Sequence, residues 1–195
     1  MKVQTQALKI LAVVFLINLS AISQTKTNID VYYSLVDSVA HLILSRLPEN
    51  QIEIKFNSPL NDYLILTNRL KSSLTQKGIT QSLSAPLQAD VDFDKSSVRY
   101  SDMHRSSFLG SMKVVRKVEL GGNLSIAGKI VPTKFLFISI DSILVDDVKN
   151  IENSVYPFTV SELPAEPFLS SLLEPAVAIG TAAIAIYLFF SVRSK

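Results

Sequence analysis

Residues 176–192 (AVAIGTAAIAIYLFFSV) are apolar or small throughout and carry no charge, and only Arg193, Ser194 and Lys195 follow them. At 1.5 Å rise per residue this run makes about 25 Å of helix, near the lower limit for crossing a hydrocarbon core. A helix apolar on all sides must be covered everywhere, by protein or by lipid. A core helix of a soluble protein is one way to cover it. The two cations directly after it favour the other, a membrane span with the chain end in the cytoplasm. Glu174 and Pro175 suit the outer boundary, because a carboxylate stays among headgroups and proline is tolerated in a first helical turn. Ala176 and Gly180 have the small-x-x-x-small spacing that lets two helices approach, so they are the candidate helix–helix contact and raise homo-oligomerisation as a possibility.

The chain begins with Lys2 and Lys9 before the apolar run 10–19 (ILAVVFLINL), and Ser20, Ala21, Ile22 and Ser23 follow with small residues. That is the pattern of a secretory signal, with cleavage expected after Ser23 and an uncleaved signal anchor as the alternative. Five segments are expected: a signal at 1–23, an extracytoplasmic domain at 24–145, a tether at 146–171, a transmembrane helix at 172–192 and a cytoplasmic tail at 193–195; the alternative for Tyr156-Pro157-Phe158 is a short extended segment docked on the domain or a partner. This describes a single-pass protein of a bacterial cytoplasmic membrane with its domain on the exported side. The chain has no cysteine, so no disulfide staples the domain and no lipid is carried on an amino-terminal cysteine. Net charge is +2, from 19 basic and 17 acidic residues that form no basic stripe, which gives nucleic-acid binding little support.

Within the domain, Tyr32, Leu35, Val36, Val39, Leu42, Ile43 and Leu47 recur at helical spacing and predict an amphipathic helix over 29–47. Residues 51–57 (QIEIKFN) alternate as a half-buried strand does. Ser58, Pro59 and Asp62 then cap a second helix through Leu64, Leu70 and Leu74, which Gly78 ends. Beyond Gly78 the period becomes two. Short strands are expected at 79–83, 89–93 and 98–100, and a hairpin at 112–131 with Gly121 and Gly122 as its turn. Residues 134–143 (KFLFISIDSI) return beside it. The fold class is α+β: two helices packed on a mainly antiparallel sheet ending in a three-strand meander, plus the carboxy-terminal helix.

The domain carries few groups arranged for chemistry. Asp37 and His41 lie one helical turn apart and read either as a base with its orienting carboxylate or as an exposed pair, the second being favoured. His104 sits in Ser101-Asp102-Met103-His104, but triad members converge from separate elements, so a polar loop is the better account. Asp90, Asp92 and Asp94 open like a calcium loop, yet Lys95 stands where its turn glycine belongs and Ser101 where its bidentate glutamate belongs. No metal or cofactor is therefore expected. No phosphate-binding glycine loop, Gly-x-Ser-x-Gly or His-Glu-x-x-His occurs, and the expectation is a protein that is not an enzyme. Arg99, Arg105, Lys113, Arg116 and Lys117 form a local basic excess, the candidate interaction face toward anionic headgroups or an acidic partner, with a merely solvated strand face as the plainer reading.

The order helix, strand, capped helix ending in Gly78, strand and meander, together with residues 61–79 (NDYLILTNRLKSSLTQKGI), resembles the small domain of bacterial envelope accessory proteins: the amino-terminal domain of TolB, LpoB-type synthase activators and FlgO-like proteins. The resemblance implies a non-catalytic assembly role in a cell envelope, through a protein partner it does not identify. Many such relatives are lipid-anchored. Here the apolar tail stands in that place. A ligand-sensing domain is the alternative function and calls for an apolar pocket between helices and sheet.

Overall fold

The computed structural model describes residues 25–48, 53–57, 63–107, 110–126, 132–166 and 168–193. The leader expected over 1–23, the cap expected from Ser58, Pro59 and Asp62, and the basic end at Lys195 lie outside them.

Helix α1 (Asn28–Leu44) starts at Thr27, whose hydroxyl accepts from the Asp30 amide while the Asp30 carboxylate accepts from the Thr27 amide, a reciprocal capping box. Strand β1 (Glu53–Asn57) follows, then α2 (Leu64–Gln76). Gly78, at φ +86°, ends α2: its amide bonds to Thr75 O and that of Ile79 to Leu74 O, the paired bonds of a Schellman stop. The two helices are tied by Arg69, which reaches Asp37 through both Nε (3.2 Å) and Nη2 (2.6 Å) and lies over the Tyr33 ring.

Five strands make one sheet in the order β2-β1-β3-β4-β5. Short β2 (Thr80–Gln81) and long β3 (Gln88–Arg105) both run parallel to β1, whereas β3, β4 (Met112–Ile126) and β5 (Thr133–Leu144) form an antiparallel meander. The helices cover one face only. Val36, Val39 and Ile43 of α1, Leu66, Leu70 and Leu74 of α2, and Val91, Val114 and Leu120 of the sheet are all sealed from solvent there.

The mixed α+β class holds, but the meander is built differently from the expectation. Gly121 and Gly122 do not turn the chain; they lie inside continuous β4, opposite Lys95 and Phe93 of a β3 bulge. A side chain at Gly122 would collide with Asp92 O and sit 2.9 Å from the Phe135 ring, so the glycine permits a close approach. The short strands expected at 89–93 and 98–100 are likewise one strand. A second β3 bulge lies between Ser101 and His104, with Asp102 at φ +50°; it shifts the alternation, so that buried Met103 is followed by exposed His104.

The expected tether also differs. Residues 146–160 are packed on the domain through a short helix α3 (Val148–Ile151) flanked by 3-10 turns at Val145–Asp147 and Pro157–Thr159. Val148, Ile151 and Thr159 are buried, and Phe158 meets the rings of Tyr32 and Tyr63 edge-on at 5.1 and 5.5 Å. The link is therefore short: Ser161 is still tied to Glu152 through its amide (3.0 Å), and only the six residues 162–167 of sequence separate it from helix α4 (Phe168–Arg193). Six residues of chain reach at most about 20 Å when extended. Residues 175–190 of α4 are exposed, Ile179, Ile184, Ile186, Phe189 and Phe190 among them. Among the described residues no helix is long and apolar enough to cross a membrane, so the structure establishes the helix and lends no support to a span over 172–192.

Candidate interaction surface

Period two divides each meander strand between the helix-covered face and an outer face that no helix covers among the described residues. On the outer face three rows cross the strands: Lys95, Gly121 and Leu136; Ser97, Glu119 and Ile138; Arg99, Lys117 and Ile140. The column on β5 is apolar and open, with Leu136 51%, Ile138 45% and Ile140 65% exposed. The columns on β3 and β4 carry charge. Glu119 sits between Lys117 Nζ (2.7 Å) and Lys95 Nζ (2.8 Å), with only 5% of its side chain exposed. The hydrogen bonds from Lys117 and then Lys95 stabilise its carboxylate and hold its pKa down at about 2, against the opposing pull of burial.

Of the expected basic face, Arg99, Lys113 and Lys117 do share this outer surface. Arg105, half-buried at the end of β3, donates to Gly110 O. Arg116 does not belong to the face. It is wholly buried on the opposite side, where Nε and Nη2 grip Asp141 at 2.8 and 2.5 Å and Nη1 donates to Asn28 Oδ1 and Lys26 O, both at 2.8 Å. The Asn28 amide in turn donates to Thr159 O (2.7 Å) and Tyr100 OH (2.9 Å). Thr25 donates to Asp147 (2.6 Å). The lead into α1 and the end of the docked segment are thus fastened at one pole of the domain.

The remaining candidates fall into ordinary places. His41 lies 3.1 Å from Lys77 Nζ, while Asp37 is taken by Arg69, so no Asp–His pair forms. His104 Nδ1 contacts Asp102 O at 2.7 Å and is exposed. Asp90 accepts from Gln88 and Asp94 from Asn123, both as parts of a strand surface. Among the described residues no group of three carboxylates or histidines is placed to hold a metal ion. An open depression of about 490 Å³ is lined by Thr25, Lys26, Lys113, Asp141 and residues 142–144. It lies at the foot of β5, away from the space between helices and sheet where an apolar ligand pocket was expected. Ala176 and Gly180 stand one turn apart on α4, with nothing within 4 Å of the position a Gly180 Cβ would take.

No protein family and no curated protein matches the chain by sequence. Its fold is similar to that of two solved lipoproteins. One is a minor lipoprotein from Acinetobacter baumannii, 13% identical over 51% of this chain and 70% of that one, with a TM-score of 0.35. The other is the rare lipoprotein B from Shewanella oneidensis, 11% identical over 68% of this chain and 98% of that one, with a TM-score of 0.38. The expected likeness to envelope accessory proteins is a weak resemblance of fold, and it assigns no residue, ligand or partner.

Proposed function

We propose that this protein is a non-catalytic accessory module of a bacterial cell envelope, attached to a membrane by α4 and docking on a protein partner through the outer face of its sheet. The observation that carries this reading is the bare outer face of the meander, which presents Leu136, Ile138 and Ile140 beside a charged lattice. Exposed apolar surface rimmed by polar groups is the kind of surface on which a partner docks.

Membrane attachment draws its support from α4. The apolar residues of its stretch 176–190 lie on every side of the helix and are exposed, a surface that water does not tolerate and lipid does. A run of about 25 Å is short for a bilayer core, and such runs are accommodated by local thinning, by snorkelling of terminal cations or by pairing of helices. In this reading the domain stands on the exported side, Arg193 faces the cytoplasm, and the Ala176–Gly180 step is available for pairing.

The test is carried out on the full chain in its native membrane. Resistance to a carbonate wash, digestion of the domain by a protease added from the exported side, and co-purification with a larger assembly after cross-linking are the expected results. Release by carbonate would overturn attachment, and recovery of the chain alone would overturn the accessory role.

A further inference from the structure

We propose that β5 takes up an extended segment of another protein as a sixth strand, and that this segment carries apolar residues at alternate positions flanked by carboxylates. The proposal names the kind of partner for the surface above and rests on the reading of the protein as an interaction module.

The first support is the edge itself. β5 closes the sheet and pairs with β4 over an unbroken register from Thr133 to Leu144, and among the described residues no strand pairs with its other side. Exposed edges are ordinarily protected by shortness, proline, a bulge or a charge in mid-strand. β2 at the opposite edge is protected by being two residues long. Between Phe135 and Ile140, β5 has none of these devices. A strand laid along it would sit about 4.8 Å away and bring alternate side chains against Leu136, Ile138 and Ile140.

The second support is charge. Lys134 stands at one end of the apolar row and Lys117, Arg99 and Lys113 toward the other. The nearest acid, Glu119, is already shared between Lys95 and Lys117. At the Lys134 end the outer face also carries acids, Asp92 in the row of Asn123 and Lys134 and Asp94 on Asn123; at the other end Arg99 and Lys113 have no carboxylate partner among the described residues, so the surplus positive charge lies there. A second copy would bring the same surplus and be opposed by it, whereas an acidic segment is drawn in. An anionic bilayer would meet the cations too, but it would desolvate the free amides and carbonyls of β5 without pairing them. A strand pairs them.

The probe is a fluorescent nine-residue peptide in which valine alternates with threonine between terminal glutamates, titrated onto the full chain in neutral phosphatidylcholine nanodiscs. Saturable binding is expected. It should weaken at least about tenfold when lysine replaces the glutamates, and by a similar factor in Ile138→Arg. Equal affinity for both peptides, no saturable binding, or no effect of Ile138→Arg overturns the proposal. Because Ile138 is half-exposed, an unchanged urea midpoint for Ile138→Arg shows that the variant is folded. The chain lacks cysteine, so Ile138→Cys accepts a single spin label that reports the occupant directly. Immobilisation on adding the acidic peptide supports the proposal. Label-to-label coupling without peptide identifies a second copy, and immobilisation in phosphatidylglycerol discs without peptide identifies lipid; either result overturns it. The membrane reading fails separately, when the chain does not stay in the disc.

Discussion

Arg116 and Asp141 face each other across neighbouring strands in a two-pronged ion pair, with the guanidinium wholly buried and the carboxylate 44% exposed. The pair anchors more than two strands, because the third guanidinium nitrogen holds Lys26 O and Asn28 Oδ1, and Asn28 holds Thr159 O. Arg116→Met leaves these acceptors without a donor and is expected to cost about 3 kcal/mol, toward the low end for a broken buried pair because water reaches Asp141. Arg116→Lys does not restore the loss, since an ammonium cannot fork toward both sides. Urea unfolding of the three proteins measures this.

The docked segment makes a second expectation. Phe158→Ala removes the edge-on contacts with Tyr32 and Tyr63 and is expected to cost about 2 kcal/mol, less than a full core phenylalanine because the ring is only half-buried. Limited proteolysis reads the local effect. In the wild type early cleavage is confined to the link after Val160; in Phe158→Ala new cuts appear between Asp146 and Phe158.

Glu119 predicts an acid dependence of stability. Its carboxyl is held at about 2 in the fold by Lys117 and Lys95, against about 4.3 in an unfolded chain. A depressed carboxyl stabilises the fold above the unfolded value, and this contribution is lost as pH falls from about 4.3 toward 2. Glu119→Gln should therefore be less stable than wild type at pH 7, with the gap closing as pH approaches 2. Urea midpoints at pH 7, 4, 3 and 2 decide it, and a gap that does not change with pH sinks the assignment.

At the alkaline end, burial pushes the Tyr100 phenol up to about 12 and raises Tyr32 further. Unfolded tyrosine ionises near 10. A raised tyrosine stabilises the fold fully below the unfolded value and loses that contribution as pH climbs through the folded one. Stability should fall from about pH 10 upward, less steeply in Tyr100→Phe. Absorbance at 295 nm at pH 11 should be nearly the same in folded wild type and folded Tyr100→Phe, because Tyr100 is still neutral there.

Much of the fold is legible wherever one period persists. The α1 pattern through Tyr32, Val36, Val39 and Ile43 and the Gly78 stop match what the structure builds, because burial against one face enforces them. The double glycine misleads because local turn chemistry competes with a tertiary demand: Gly122 is there for the approach of Phe135 and Asp92 O, which come from other strands. Docking of residues 146–160 is hard to see because Asn153, Pro157 and Pro164 resemble a linker, while the groups that hold the segment, Asn28 and Tyr32, lie more than a hundred residues earlier. Arg116 could have been placed by periodicity. It shares the buried alternation of Val114, Val118 and Leu120, and an arginine in such a row signals a buried partner, which Asp141 supplies. The Leu136–Ile140 row was visible as an apolar strand; that its partner layer is missing is a property of topology alone.

The fastening of both domain ends at one pole has a mechanical consequence. A pull on residues 161–166 from the helix behind them is borne first by Ser161 on Glu152, then by Thr159 on Asn28 and by Phe158 between its two tyrosines, and a pull on the lead into α1 is borne by Thr25 on Asp147 and by Arg116 at Lys26 O. Such a load would have to break those few bonds before it reached a strand, so the sheet can keep its shape, and its open edge, while the chain at either end is under tension.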